Sequence, residues 1–300
     1  MGYIFLSLAL AAGITKGYCG KKTSGSVSTS SEAMLANLIR MVFCIAIGFC
    51  LLAVQGDLTG LKVDGRALLI MFGSGVTTSA FVVAWLISVK TGAYMMLDVF
   101  LLIGVLVPML LCNWLYQEPI TSAQWIGAGV VLIAVIIMCS YNVSIKGKMT
   151  LKGFGLLVLC GLANGLTDFC QKSYTNCYPE GSAAVFNFYT YVFSALFLVV
   201  CYYVFRRAEG TATKPRSVVQ IVKPIFLYVL IMALCLFANS YFKVLASGYL
   251  TASQLFPLNQ GAAIVLSTLM SGFVFKEKIT VRCIIGLILA FVGLLIMNLL

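Results

Sequence analysis

Ten stretches of mostly apolar residues, each near the length that crosses a bilayer, follow one another along this chain with short connections between them. They run approximately over 2–19, 34–54, 67–89, 92–116, 122–141, 153–173, 183–205, 224–242, 249–273 and 280–300. About 20 apolar residues, each rising about 1.5 Å, span a hydrocarbon core of about 30 Å. The pattern predicts an all-α polytopic membrane protein of ten transmembrane helices. Composition agrees: 61% of the 300 residues are hydrophobic and 10% charged, against about 45–50% and about 25% in soluble domains. A single water-soluble domain, a coiled coil and a disordered chain are excluded. The first stretch lacks a basic leader and a clear small-residue cleavage site, so it reads as an uncleaved helix.

Histidine is absent and the eleven cysteines form no CxxC pair. A histidine-ligated metal and a histidine-based triad are thus excluded, and the cysteines read as small packing residues within helices. No cofactor is expected. The net charge of +11 sits in connections rather than on one face, which argues against a nucleic-acid partner and for a lipid bilayer.

The chain also repeats itself. A shift of 159 residues lays Glu118 on Glu277, Ile120-Thr121 on Ile279-Thr280, Ile126-Gly127 on Ile285-Gly286 and Ile137-Met138 on Ile296-Met297. Near the start of each half, Ala11-Ala12-Gly13-Ile14-Thr15 falls on Ala163-Asn164-Gly165-Leu166-Thr167 at a slightly different offset. Two five-helix units are expected, over 1–145 and 146–300, divided at the polar Asn142–Lys152 connection. Because five is odd, the second unit must begin on the opposite side of the membrane. The two repeats would therefore be inverted, an arrangement common in secondary transporters, whose sites lie at the midplane between halves. Lys90-Thr91-Gly92 and Ala246-Ser247-Gly248 read as tight turns closing antiparallel helical hairpins.

The doubled block has a familiar form. Leu115-Tyr116-Gln117-Glu118-Pro119-Ile120-Thr121 through Gly127, and Phe275-Lys276-Glu277-Lys278-Ile279-Thr280 through Gly286, resemble the signature at the fourth-to-fifth and ninth-to-tenth helix turns of the drug/metabolite transporter superfamily, EamA-like branch. Asn37-Leu38-Ile39-Arg40-Met41 resembles that family's arginine near the start of its second helix. One departure is Gln117, where the family usually has glycine. The resemblance implies a ten-helix transporter with cytoplasmic termini. The family's cargoes range from amino acids and drugs to nucleotide sugars, so it does not specify one.

Charge bias points the other way on orientation. Fourteen basic residues fall in odd-numbered connections; Lys62, Arg66, Lys172 and Lys243 are assigned to even-numbered ones, and Lys16 and Arg40 to spans. The excess of lysine and arginine marks the cytoplasmic side, so the odd connections are expected in the cytoplasm and both termini outside. The expected location is the cell membrane, the inner membrane of a bacterium.

Ionisable residues inside spans are costly and mark function by default. Asp98 in the fourth helix and Asp168 in the sixth are candidates for contact with substrate or a coupling proton. Lys16 stands opposite Asp168 when the halves are aligned, and an ion pair between them is expected. In the ninth helix Pro257 should break the backbone ladder in mid-membrane, with Gln254, Asn259 and Gln260 placed to bond a polar ligand or a neighbouring helix; Pro108 and Asn113 make a fainter counterpart in the fourth. Trp85, Tyr94, Phe169 and Tyr241 are expected to wall the cavity, each also suited to core or an interfacial belt. Ser74-Gly75-Val76-Thr77-Thr78-Ser79 reads as a packing seam, Arg40 as structural or facing an anion, and Glu118 and Glu277 as capping and gating residues.

These features favour a secondary-active transporter of a small polar or amphipathic metabolite, driven by a proton or ion gradient or by exchange and working as a monomer or homodimer. The sequence carries no Walker A motif. A membrane receptor or scaffold without flux is the alternative. An intramembrane enzyme would need a catalytic constellation, and HExxH, GxSxG or an aspartate pair on one helix is not found.

Overall fold

The computed structural model describes residues 1–24, 29–90, 100–146, 151–209, 220–221, 223–274 and 281–299. Within them the chain forms α-helices and short 3₁₀ turns, with no strand. The helices are α1 (Gly2–Ser24), α2 (Ser30–Gln55), α3 (Gly65–Lys90), α4 (Phe100–Tyr116), α5 (Ser122–Lys146), α6 (Leu151–Cys177), α7 (Ala183–Glu209), α8 (Phe226–Ser247), α9 (Ala252–Phe273) and α10 (Val281–Leu299). Among the described residues, six helices are long and apolar enough to cross a membrane, and α4, α5 and α10 hold shorter apolar segments. Large apolar side chains cover the outside, with Val54 85%, Trp114 76% and Leu69 69% exposed. Water would penalise such a surface, whereas lipid accepts it.

Local chemistry sets the helix ends. Thr29 caps α2 by accepting from the Glu32 N–H, and the Glu32 carboxylate returns to the Thr29 N–H, a reciprocal capping box. This starts α2 four residues before its apolar run begins. At its other end Gly56 takes a left-handed φ of 69°, as helix C-caps favour. Gln117 ends α4 at φ 53°. The residue that departs from the family's glycine thus adopts a conformation that glycine takes at no steric cost.

Two prolines behave differently from each other. The α9 helix runs through Pro257 without interruption, contrary to the expected break. The break falls in α4 instead, at Val105, whose N–H turns back to Leu102 O. Three residues on, Pro108 offers no N–H to the Gly104 carbonyl. That carbonyl lies against α6, where Gly161 and Gly165 let the two backbones touch. A Cβ on Gly165 would sit 2.1 Å from Gly104 O, and one on Gly104 2.2 Å from Gly161 O. This is small-residue packing of the membrane type.

The α3 segment packs as the sequence predicts: Gly75 lies against Thr190 O and Ser194 N of α7, and Ser79 Oγ is 2.8 Å from Ser194 Oγ. Cys19, Cys44, Cys112 and Cys160 are buried.

Helix pairing is nearly unchanged when the halves are exchanged. α1 packs on α8 as α6 packs on α3; α3 packs on α7 as α8 packs on α2; α4 packs on α6 as α9 packs on α1. The pairs α2–α7, α5–α10 and α4–α9 map onto themselves. The match is incomplete: α9 rests on α10, and α6, α8 and α9 touch one another, with no comparable α4–α5, α1–α3, α1–α4 or α3–α4 contact among the described residues.

Contacts also gather the even-numbered connections at one end. Tyr178 OH donates to Asp64, 2.8 Å from each carboxylate oxygen, and Tyr189 OH donates to Leu61 O at 2.8 Å. The Ala67 N–H and the Tyr178 hydroxyl hold the Asp64 carboxyl below its ordinary pKa, and the same bond to Asp64 holds the Tyr178 phenol above its own. At the other end Ser31, opening α2, bonds Glu209, closing α7, through its N–H (2.9 Å) and its hydroxyl (2.5 Å).

A charged cavity between the halves as candidate functional site

A cavity of about 220 Å³ lies among α1, α2, α3 and α4 of the first half and α6, α7, α8 and α9 of the second. Its apolar walls include Phe81, Trp85, Leu101 and Ile264. The α6 contribution is a stripe, Asn164, Thr167, Asp168 and Gln171, whose spacing of 0, 3, 4 and 7 puts four polar side chains on one helix face. From α8 come Asn239, Ser240 and Lys243, and from α7 Thr190 and Tyr191.

Asp168 and Lys243 form a buried ion pair, 2% and 8% exposed respectively. The expected partner of Asp168 was Lys16, across the two halves. The structure pairs it within the second half instead, because α6 and α8 place the Lys243 ammonium directly on its carboxylate. Lys16 lines the same cavity, within electrostatic range of Arg40, Lys243 and Asp168. Among the described residues it makes no hydrogen bond or ion pair. Arg40 is 7% exposed, and its buried Nε has no hydrogen-bond partner. Thr190 Oγ1, Gln171 Oε1 and Asn259 Oδ1 are likewise buried without partners, and all three residues line the cavity. Other polar groups are spent on the scaffold: Gln171 Nε2 donates to Ser240 Oγ (3.0 Å), Tyr191 OH to Leu236 O (3.2 Å), and Asn239 Nδ2 to Ala9 O (2.6 Å).

Of the residues singled out from sequence, Lys16, Asp168, Asn259, Gln260 and Trp85 meet at this cavity. Gln254, Phe169 and Tyr241 do not: the two aromatics pack against hydrophobic clusters, and the Gln254 Oε1 accepts from the Thr251 N–H at 3.4 Å, at the start of α9. Asp98 and Tyr94 lie outside the described residues, as do Glu277 and the Thr91-Gly92 turn. Lys243 and Lys172 were assigned to connections by their charge; both are buried within helices, α8 and α6. Lys172 ties the end of α8 by donating to Ser247 O and Leu250 O, each at 2.8 Å.

At the even end, Glu118 joins the halves. Its carboxylate accepts from the Ala252 N–H that opens α9 (2.8 Å) and from Asn176 Nδ2 (2.9 Å), with Lys172 Nζ 3.4 Å away. A carboxylate at a helix N-terminus satisfies an orphan donor and complements the helix dipole. The α4–α5 turn is thereby latched to α6 and α9. Among the described residues no cluster of metal-binding side chains gathers.

Residues 151–299 match the EamA-like transporter family. Through that half the chain belongs to the EamA-like transporter family, within the drug/metabolite transporter superfamily, and is an integral multi-pass membrane protein. A chain solved by crystallography, described only as a protein, aligns over 99% of this chain and 96% of its own length with a TM-score of 0.72. Its sequence identity is 14%, so the likeness speaks for the fold. No curated protein matches the sequence.

Proposed function

We propose that this protein is a secondary-active transporter that carries a small polar or amphipathic metabolite by alternating access, with the two five-helix units inverted about an axis in the membrane plane. The observation that carries the reading is the cavity itself. In a chain whose outer surface is apolar, buried charges and unpartnered polar atoms from both halves converge on one space. Its volume of about 220 Å³ falls below the range of about 300–1,000 Å³ typical of drug-sized ligands, which suits a small metabolite. The inverted relation draws support from the exchange-symmetric packing. With even-numbered connections gathered at one end, α1 ends at the odd side and α6 at the even side, so equivalent helices run in opposite directions. The Glu118 latch would be the closed gate of one access state.

Lys243 lies at the cavity, which leaves Lys62, Arg66 and the buried Lys172 as the basic residues of the even side. Orientation with the odd connections in the cytoplasm is therefore retained as part of the proposal.

Solute counterflow in liposomes containing the purified protein tests the transport reading. Vesicles preloaded with a cargo are expected to accumulate its labelled form above the level of protein-free vesicles. Specific binding of a solute with no flux would overturn transport in favour of a receptor.

A further inference from the structure

We infer that the cavity holds its cargo through a net negative charge, a carboxylate or phosphate on a small hydroxylated and partly apolar body. The inference rests on the cavity being the transport site and concerns what that site selects. Three cationic side chains, Lys16, Arg40 and Lys243, line it against one described anion, Asp168. Asp168 is taken by Lys243. Lys16 and Arg40 are thus left facing one cavity as like charges with no ion pair among the described residues. Charge held away from water without a counter-ion is costly, and an anion placed between an ammonium and a guanidinium removes that cost with charge-assisted hydrogen bonds. The Arg40 Nε, buried and without a partner, is a donor of the type such an anion needs.

The other unpartnered atoms describe the body of the ligand. Gln171 Oε1 and Asn259 Oδ1 accept hydrogen bonds only, so they ask for donors such as hydroxyls; Thr190 Oγ1 can serve either way. Phe81, Trp85 and Ile264 supply an apolar wall. A zwitterion is disfavoured, because its ammonium would enter a space that already holds two cations without an ion pair among the described residues.

Thermal melting of the detergent-solubilised protein, titrated with matched probes, tests this. The anions are lactate, 3-phenyllactate and 2-phenylethyl phosphate; 3-phenyllactamide is the neutral counterpart and phenylalanine the zwitterionic one. At least one anion is expected to bind about tenfold or more tightly than 3-phenyllactamide and phenylalanine, and Lys16→Met and Arg40→Met are each expected to weaken it about tenfold. The carboxylate and phosphate arms identify the headgroup. Without added ligand, Lys16→Met is expected to melt above the unmodified protein, because it removes a half-buried charge that faces Arg40 and Lys243. Equal affinity for 3-phenyllactate and 3-phenyllactamide would overturn the anion preference while leaving the cavity as the binding site. Lowered melting of unliganded Lys16→Met would also overturn it, by showing that the chain itself neutralises that lysine. Protection by an anion without counterflow would instead spare this inference and remove the transport reading.

Discussion

Asp168→Ala is expected to lower stability by about 3–5 kcal/mol, the cost of leaving a buried charge without its partner. The stranded group is the Lys243 ammonium, 8% exposed and beside a cavity where Lys16 and Arg40 already carry the same sign. Lys243→Met should be milder, because Asp168 retains Lys16 within electrostatic range. The double variant Asp168→Ala/Lys243→Met should recover most of the loss, since it removes both charges together. Thermal melting of the three variants in detergent forms the cycle. A double variant as unstable as Asp168→Ala alone would mean that Asp168 acts through something other than the pair.

Gly165→Ala is expected to cost as much as the largest overpacking substitutions, at or beyond about 3 kcal/mol. The added methyl would stand 2.1 Å from Gly104 O and 2.8 Å from Val107 Cβ. Backbone cannot swing aside as a flexible side chain can, so α4 must shift away from α6 as a body. Gly129→Ala on α5 is the control. Nothing lies within 4 Å of its position, and exchanging a helix-interior glycine for alanine there should stabilise by about 0.5–1 kcal/mol. Equal melting temperatures for Gly165→Ala and the unmodified protein would show that α4 and α6 are not in backbone contact. The repeat is not equally tight at this point. A Cβ on Gly13, the counterpart of Gly165, would meet the Asn239 amide nitrogen at 3.1 Å, a side chain rather than backbone.

Hydropathy locates the helices because lipid imposes a length and a polarity on every span, and the apolar runs fall within a few residues of the observed helices over the described residues. The ends follow other forces. The Thr29–Glu32 capping box was visible as a Thr-x-x-Glu pattern, yet a reading by apolar run alone starts α2 too late. Lys172 and Lys243 show a deeper limit. By composition each looks like the end of a span, and only the fold shows that Lys243 meets an aspartate 75 residues away and that Lys172 bonds the carbonyls ending α8. The two lysines were assigned outside because pairing is long-range, while charge is local. The α6 stripe from Asn164 to Gln171 was legible in its spacing. The unpartnered state of Arg40, Thr190 and Asn259 was not, since satisfaction of a polar atom depends on helices far apart in sequence. Proline carries a similar ambiguity: Pro257 and Pro108 each remove a donor, but a helix interruption accompanies only the second.

Alternating access requires that the seam between the halves open to each side of the membrane in turn. Thr78→Cys, in a cysteine-free background, places a thiol on the cavity wall at a residue 9% exposed. Its modification by a membrane-impermeant thiol reagent, applied separately to right-side-out and inverted vesicles, measures access directly. Modification is expected from both faces. Bridging Glu118→Cys to Asn176→Cys with a short bifunctional thiol reagent is expected to restrict modification to the side of the odd-numbered connections. Modification from one face only in the unbridged protein would contradict alternating access along the seam.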